Sequence, residues 1–221
     1  MGLSSFIIIG ISVALLGAPA VAVAAPTVSV EKGCWNSAST LEVVGSGYRP
    51  KVAFKLLLNG RVASRGTTTM TGDISGIVKL PRISRASGQR SFEIRLTDGR
   101  RTATRRIFAT AIWADYEPAV TSLRQRVTFS GNGFGPNKTL FLHYVSPSGK
   151  LRRTLRLGES AGVCGRLEVA NREVFDGFTP EAGRWRLQFD TRATYVRGPR
   201  PSVTLAVTIV KAASPSSHGQ R

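Results

Sequence analysis

Two cysteines are the side chains of this sequence whose chemistry is easiest to predict. The chain has 221 residues, and Cys34 and Cys164 are its two cysteines. They lie in different predicted domains, so neither domain can form an internal bridge. Thiols of exported proteins usually pair. The sequence therefore predicts a disulfide between Cys34 and Cys164, and the alternative is two separate thiols, free or intermolecular.

A Gly-x-Ser-x-Gly pattern centred on Ser160 is a candidate hydrolase nucleophile. Together with Asp176 or Asp190 and then His218 it gives the Ser–Asp–His order of α/β-hydrolases. That arrangement needs a helix after the serine, and no helical pattern follows here. His218 also lies in a polar tail that cannot hold an imidazole rigidly. We interpret the pattern as a glycine-rich turn and predict no catalytic residue, with a hydrolase that uses this motif kept as a second alternative.

Metal and cofactor chemistry find little support in the sequence. His143 is the histidine that falls within a predicted domain, and neither another domain histidine nor a cysteine pair lies near it. We interpret it as a surface or edge histidine. The glycine-rich segment 131–135 precedes a strand pattern, whereas a phosphate-binding loop precedes a helix. We therefore predict no metal site and no cofactor.

Arginine dominates the charge of the chain. The formal net charge is +18, from 31 Lys and Arg residues against 13 Asp and Glu residues. Guanidinium groups bind phosphate and carboxylate groups bidentately, so clusters of arginine near turns predict a polyanion-binding surface. The alternative is that the charge is compositional and spread over a solvated surface. The predicted polyanion-binding residues are Arg100, Arg101, Arg105, Arg106, Arg152, Arg153, Arg156, Arg192, Arg197 and Arg200.

The N-terminus carries an export signal. A continuous apolar run from Phe6 to Leu16 is followed by small residues, and Ala22-Val23-Ala24 fits the small-x-small rule of signal peptidase. We predict a signal peptide over residues 1–24. The alternative is an uncleaved anchor, because about 20 apolar residues can span a bilayer. No second apolar run exists, so we expect a secreted or envelope-associated chain without a transmembrane span after processing.

Export and composition together restrict the partners. Aromatic residues make up 8% of the chain and mostly occupy predicted core positions, so platforms for stacking nucleobases are not evident. We expect no nucleic-acid partner. The expected partner is an anionic cell-envelope polymer or another exported protein.

Strands must position these residues, because apolar and polar residues alternate along much of the chain. The alternation is strict over residues 91–97, 184–190 and 202–209, which is typical of strands with one buried face. Asn59-Gly60 and Asp98-Gly99 favour two-residue hairpin turns between such strands. No stretch of about 12 residues has a helical pattern. The fold class is therefore predicted to be all-β, a sandwich or a barrel.

An internal repeat divides the chain. Gly45-Ser46-Gly47-Tyr48-Arg49-Pro50 recurs 86 positions later as Gly131-Asn132-Gly133-Phe134-Gly135-Pro136. That spacing matches one small sandwich domain. We predict domains at residues 25–110 and 111–211 and a disordered tail at residues 212–221.

The repeated Gly-x-Gly-aromatic-x-Pro element resembles one in bacterial immunoglobulin-like and IPT/TIG-type extracellular domains. The resemblance covers both repeats and implies two tandem immunoglobulin-like β-sandwich domains. It also implies a spacer, an adhesion module or a carbohydrate-binding unit. We therefore predict a non-catalytic, secreted or envelope-associated binding or adhesion module, and the alternative is a structural or accessory subunit of another exported protein.

Overall fold

A computed structural model describes four parts of the chain, residues 24–119, 122, 124–198 and 201–210. The predicted signal peptide up to residue 23, the predicted tail and Arg200 lie outside these residues. Among the described residues there is no apolar helix of membrane-spanning length. The elements are β1 (Ser29–Val30), β2 (Cys34–Asn36), β3 (Thr40–Gly45), β4 (Ala53–Leu58), β5 (Arg61–Thr67), β6 (Ile74–Lys79), a 3-10 turn (Arg85–Ser87), β7 (Gln89–Thr97), β8 (Thr102–Thr110), β9 (Trp113–Glu117), β10 (Arg126–Asn132), β11 (Thr139–Val145), β12 (Leu151–Glu159), β13 (Leu167–Glu173), β14 (Gly183–Asp190) and β15 (Ser202–Ile209).

The fold is all-β, as the alternation predicts. A first sandwich packs the sheet β1-β3-β6 against the sheet β2-β8-β7-β4-β5. Neighbouring strands are antiparallel, except that β2 runs parallel to β8. A second sandwich packs the sheet β9-β10-β13 against the sheet β12-β11-β14-β15. Each sandwich has its own hydrophobic core, and the two cores share no residue.

The two sandwiches have the same topology apart from β2, an additional edge strand of the first sandwich. β3 and β10 are the central strands of the smaller sheets, and β4 and β11 occupy equivalent places in the larger sheets. Lys55 of β4 pairs with Arg65 of β5, and Phe141 of β11, 86 positions after Lys55, pairs with Arg156 of β12. The sequence repeat thus extends to strand register. Residues of the two sandwiches can therefore be compared position by position.

The alternating segments place one face in the core. In β7, Phe92, Ile94 and Leu96 are buried, while Glu93 and Arg95 are exposed. The same pattern in β14 buries an aromatic side chain, and the Trp185 ring belongs to a packed aromatic cluster of the second core.

The repeated glycine element closes one end of each core. Gly47 and Gly133 take φ angles of 78° and 91°, which a side chain would disfavour. The aromatic residue that follows each of them, Tyr48 and Phe134, is 2% and 3% exposed. Burial and the nearby charge of Asp98 raise the pKa of Tyr48 to about 12. The two buried aromatic side chains thus occupy equivalent positions at the end of each core.

A disulfide joins the two sandwiches between Cys34 and Cys164, with a Cα–Cα distance of 5.2 Å. The structure thus has the bridged arrangement rather than separate thiols. Cys164 is 2% exposed, and its carbonyl oxygen accepts hydrogen bonds from the backbone N–H groups of Gly133 and Gly135. Structural disulfides persist in oxidising compartments, so the bridge indicates an extracytoplasmic protein.

Polar contacts support the bridge at the same junction. Arg85 of the first sandwich forms an ion pair with Asp115, and its guanidinium lies 4.6 Å from the ring centre of Trp113. The side-chain amide of Asn132 donates a hydrogen bond to the hydroxyl of Thr110 at 3.2 Å. The junction is therefore held by covalent, ionic and hydrogen-bonding contacts.

Candidate functional site

The arginines that were predicted as binding residues do not form one surface. Arg100 and Arg101 lie in the turn between β7 and β8, and the Arg101 guanidinium donates a 2.6 Å hydrogen bond to the carbonyl of Gly47. In the strand register, Arg105 lies opposite the buried Ile94, whereas Arg106 lies opposite the exposed Glu93. Because successive residues of a strand point to opposite faces, Arg105 and Arg106 lie on opposite faces of the sheet.

A buried carboxylate holds the turn that carries Arg100 and Arg101. The Asp98 carboxylate accepts hydrogen bonds from the backbone N–H groups of Arg49, Arg100 and Arg101 and from the Arg49 guanidinium. Burial by itself raises the pKa of Asp98, but these hydrogen bonds outweigh burial and hold the pKa well below its usual range. Asp98 is therefore ionised whenever the protein is folded near neutral pH.

Asp98→Asn is expected to lower the free energy of unfolding by about 2 kcal/mol, because the charge-assisted hydrogen bonds are lost inside the fold. A carboxyl whose pKa is lowered by folding stabilises the protein above its unfolded pKa of about 3.9, and this contribution is lost as the pH falls. Urea unfolding at pH 7 and at pH 3 tests both points. The difference between wild type and variant should shrink at pH 3, and a difference that grows there would contradict the assignment.

The arginines of β12 are likewise separated. The Arg153 guanidinium donates a hydrogen bond to the backbone carbonyl of Asp176, and Arg153 lies opposite the buried Tyr144 in the neighbouring strand β11. Arg156 is exposed and forms an ion pair with Glu159 at 3.2 Å. Arg152 is exposed at the beginning of the strand. These three side chains thus do not converge on one ligand position.

The third predicted group lies on a segment that covers a sheet face. Arg192 and Arg197 are exposed in the connection that follows β14. Within this connection the carbonyl of Val196 accepts a hydrogen bond from the side chain of Gln188, and the N–H of Gly198 donates to that side chain. The connection is therefore fixed on the outer face of the sheet β12-β11-β14-β15.

His143 lies beneath this connection, so its interpretation as a surface or edge histidine is wrong. Its side chain is 0% exposed. Its Nδ1 lies 2.8 Å from the hydroxyl of Thr154, and its Nε2 lies 3.0 Å from the carbonyl of Arg192 and 3.3 Å from Asp190. Because that carbonyl and the carboxylate can only accept, Nε2 is the donor. The ring of Tyr195 packs on the imidazole at 5.5 Å, and both ring nitrogens have partners inside the fold.

Ser160 of the Gly-x-Ser-x-Gly pattern is also engaged within the fold. Its side chain is buried, donates to the carbonyl of Gly135 at 2.7 Å and accepts from the backbone N–H of Lys138 at 3.0 Å. It follows strand β12 and precedes strand β13. Across the described residues no group of three His, Cys, Asp or Glu side chains is placed to hold a metal ion.

Strand register brings together a basic group that sequence proximity does not reveal. Lys55 of β4 lies directly opposite Arg65 of β5, and Arg95 of β7 and Arg106 of β8 follow on the same outer face. Neighbouring strands are about 4.8 Å apart, so the group extends about 14 Å across four strands. Arg95 and Arg106 are each displaced by two residues along the strand, so the group runs diagonally and also extends about 13 Å along the strands. We call these four residues, Lys55, Arg65, Arg95 and Arg106, the basic strip.

The basic strip has little compensating charge. Glu93 is the one acidic residue in β4, β5, β7 and β8, and it pairs with Arg95 at 3.0 Å. Within the described residues neither Lys55 nor Arg65 forms an ion pair, and Arg106 has Glu93 directly opposite it on β7, although the ion pair of Glu93 is with Arg95. Like charges directly opposite in an antiparallel pair are destabilising. Lys55 and Arg65 therefore lower the stability of the sheet unless an anion lies between them.

The second sandwich lacks this charge at equivalent positions. Phe141, Gln188 and Ala206 occupy the register positions of Lys55, Arg95 and Arg106, and Arg156 occupies that of Arg65. The connection that carries Tyr195 covers part of this face. The equivalent face of the second sandwich thus lacks the cations of β4, β7 and β8 at these register positions and is partly covered, and its own cations Arg184 and Arg186 lie further along β14. Only Arg106 of the basic strip was among the predicted residues, although alternation alone places Lys55 and Arg95 outward.

Comparison with known proteins adds little beyond architecture. No family model matches the chain, and no curated protein matches it. Among solved structures, dimeric latent PorU from Porphyromonas gingivalis is similar over 84% of this chain and 20% of that chain, with 12% identity and a TM-score of 0.29. A tetra-tandem repeat from the extending region of a large adhesion protein is similar over 84% of this chain and 49% of that chain, with 17% identity and a TM-score of 0.29. This chain thus spans about a fifth and a half of those two chains, and neither likeness bears on function.

Proposed function

We propose that this protein is a non-catalytic binding module of the cell envelope that holds an anionic polymer on the basic strip. The observation that carries the proposal is the uncompensated, direct opposition of Lys55 and Arg65 on an exposed sheet face. A bound polyanion neutralises this repulsion and releases its counterions, so binding removes an energetic cost of the free protein. The proposal includes the finer assignment to IPT/TIG-type domains, which the two glycine elements support.

The surroundings of the strip suit a linear polymer better than a small ligand. Thr97, Thr102 and Thr104 lie on the same outer face and add hydroxyl groups between the cations. The face is open across four strands, so a chain with repeated phosphate, sulfate or carboxylate groups can contact several cations at once. Arginine adds bidentate hydrogen bonds to each such contact.

Removal of the strip charges is expected to weaken polymer binding about 100-fold. The variant is Lys55→Ser, Arg65→Ser, Arg95→Ser and Arg106→Ser, and its affinity for purified teichoic acid is measured by titration calorimetry at several salt concentrations. The slope of log affinity against log salt should fall by about 0.7 for each phosphate contact removed. The matched control replaces Arg61, Arg82, Arg152 and Arg192 by Ser, which removes the same charge and should weaken binding less than about threefold.

Equal losses in both variants would show that the charge acts diffusely and would contradict the proposal. Lys55→Glu separates binding from stability, because it places an opposite charge across from Arg65. This single change should raise the free energy of unfolding by about 0.5 kcal/mol while weakening polymer binding. A structural role for Lys55 predicts the reverse, a loss of stability with unchanged binding.

A second candidate function is docking to another exported protein. The outer face of the sheet β1-β3-β6 exposes Ile77 at 62% and Val44 at 45%. Ile77 lies on β6, at the edge of this sheet. Exposed apolar side chains near a sheet edge suit a protein partner better than a charged polymer. This candidate leads if the strip variant retains its affinity for the polymer.

A further inference from the structure

We propose that a cleft on the second sandwich binds one tetrahedral oxyanion, the dianionic group of a phosphate monoester. The cleft has a volume of about 510 Å³ and lies between the turn that follows β11 and the strands β14 and β15. Arg184 and Arg186, two positions apart on β14, line it. Alternate residues of a strand share a face and lie about 7 Å apart, so both guanidinium groups can reach one ligand. We call it the oxyanion cleft.

The wall opposite the arginines is fixed in place. The hydroxyls of Ser146 and Ser148 lie 2.8 Å apart, and the Ser146 hydroxyl accepts a hydrogen bond from the backbone N–H of Lys150. Pro147 packs directly on Gly183, where a Cβ atom would lie 2.6 Å from the proline Cγ. A glycine at position 183 is therefore required for this turn to approach β14. The cleft is formed before any ligand binds.

The charges and donors of the oxyanion cleft fit a dianion. No acidic residue lines the cleft, and within the described residues neither Arg184 nor Arg186 has an acidic partner. Ser148 and Thr204 add hydroxyl donors. A phosphate monoester carries a charge of about −1.5 to −2 on three acceptor oxygens, so it can balance both guanidinium groups. A single carboxylate has two oxygens and one charge and leaves one arginine unbalanced.

The oxyanion cleft is not a property of the repeated fold. In the first sandwich, the register positions of Arg184 and Arg186 are occupied by Ser91 and Glu93. The two basic surfaces are therefore specific to their own sandwiches, and the oxyanion cleft goes beyond the polymer site proposed for the strip. Each can fail without the other.

The test is a titration of the full chain with inorganic phosphate, followed by amide NMR shifts at constant ionic strength. Shifts are expected at Ser148, Gly149, Arg184 and Arg186, and acetate at the same concentration should leave them unchanged. Arg184→Gln with Arg186→Gln should weaken this binding at least tenfold. Shifts confined to other residues, or equal shifts with acetate, would overturn the proposal.

Two control variants distinguish binding in the oxyanion cleft from a general effect of charge and from binding at the basic strip. Arg192→Gln with Arg197→Gln removes the same charge from the same sandwich and should change phosphate affinity less than twofold, so an equal loss would overturn the proposal. The strip variant of the preceding section should leave the phosphate shifts intact. Loss of polymer binding with intact phosphate shifts thus separates the two proposals.

Two further arms identify the source of the group. Glucose 6-phosphate represents a sugar phosphate, and phosphatidylcholine vesicles that contain phosphatidic acid represent a lipid headgroup. One of these ligands is expected to bind more tightly than inorganic phosphate and to lose this additional affinity in the variant Arg184→Gln with Arg186→Gln. That result supports the oxyanion cleft and shows whether the phosphate group belongs to a sugar or to a lipid. If neither ligand responds to the double substitution, the oxyanion cleft does not bind phosphate monoesters.

Discussion

Reduction of the Cys34–Cys164 disulfide is expected to lower the free energy of unfolding by as much as about 5 kcal/mol. The bridge joins residues 130 positions apart, and closing so long a loop in the unfolded chain costs about that much conformational entropy. Calorimetric unfolding with and without reductant measures the loss. The oxidised protein should also unfold with the two sandwiches coupled, whereas the reduced protein should show two transitions.

The control for this result is the variant Cys34→Ser with Cys164→Ser. Its unfolding should match that of the reduced wild type and should not respond to reductant. The hydrogen bonds from Gly133 and Gly135 to the carbonyl of residue 164 involve the backbone only, so they can persist in the variant. Equal melting of oxidised and reduced wild type would show that the Arg85–Asp115 ion pair and the Asn132–Thr110 hydrogen bond hold the junction without the bridge.

Trp185→Ala is expected to cost about 3–5 kcal/mol, as is typical for truncation of a core aromatic residue. Trp185 is 1% exposed, and its ring centre lies 5.5 Å from those of Phe175 and Phe178. Its indole N–H donates to the carbonyl of Glu181 at 2.8 Å, so truncation also leaves that acceptor without its partner. Chemical denaturation followed by circular dichroism gives the value.

A matched substitution is available at Trp35, which is partly buried at the edge of the first core and donates its indole N–H to the carbonyl of Lys32 at 3.1 Å. Trp35→Ala should cost clearly less than Trp185→Ala, because less apolar surface leaves the core. Trp185→Phe should recover part of the loss by refilling the cavity. A cost below about 1 kcal/mol at Trp185 would place this side chain outside the stabilising core.

The all-β fold could be predicted from the sequence because the alternation of apolar and polar residues matches the buried and exposed faces of the strands. Alternation in β7, β14 and β15 reports which face is buried, and that information is contained in a few successive residues. The repeat that places Gly131 86 positions after Gly45 is likewise visible in the sequence alone. The same offset relates equivalent positions in the larger sheets, such as Lys55 and Phe141. The resemblance of the glycine element also led to the correct architecture.

The basic surfaces were harder to predict because they depend on register between distant strands. Arg105 and Arg106 are adjacent in the chain but lie on opposite sheet faces, so proximity in sequence is misleading for strands. Lys55 and Arg106 are 51 positions apart and share a face. They share a face only because of the order of the strands in the sheet, and this order cannot be predicted from the residues of any one strand.

His143 was misassigned for a related reason. Alternation correctly places it away from the core of its sandwich, since Leu142 and Tyr144 face inward. Its burial comes from the connection after β14, which packs Tyr195 on the ring. The residues of β11 do not indicate that another segment covers this face. The covering connection after β14 has no periodic pattern that would predict where it packs.

The position of the disulfide also determines which strands carry a mechanical load. Tension applied between residue 24 and residue 210 passes along the chain to Cys34, crosses the sulfur atoms and continues from Cys164. The segment from residue 35 to residue 163 lies off this path, and it includes β4, β5, β7 and β8 with the basic strip. A polymer held on the strip would therefore be attached to strands that lie outside the covalent load path, and the load would reach their sheet through β2, which begins at Cys34 and pairs with β8.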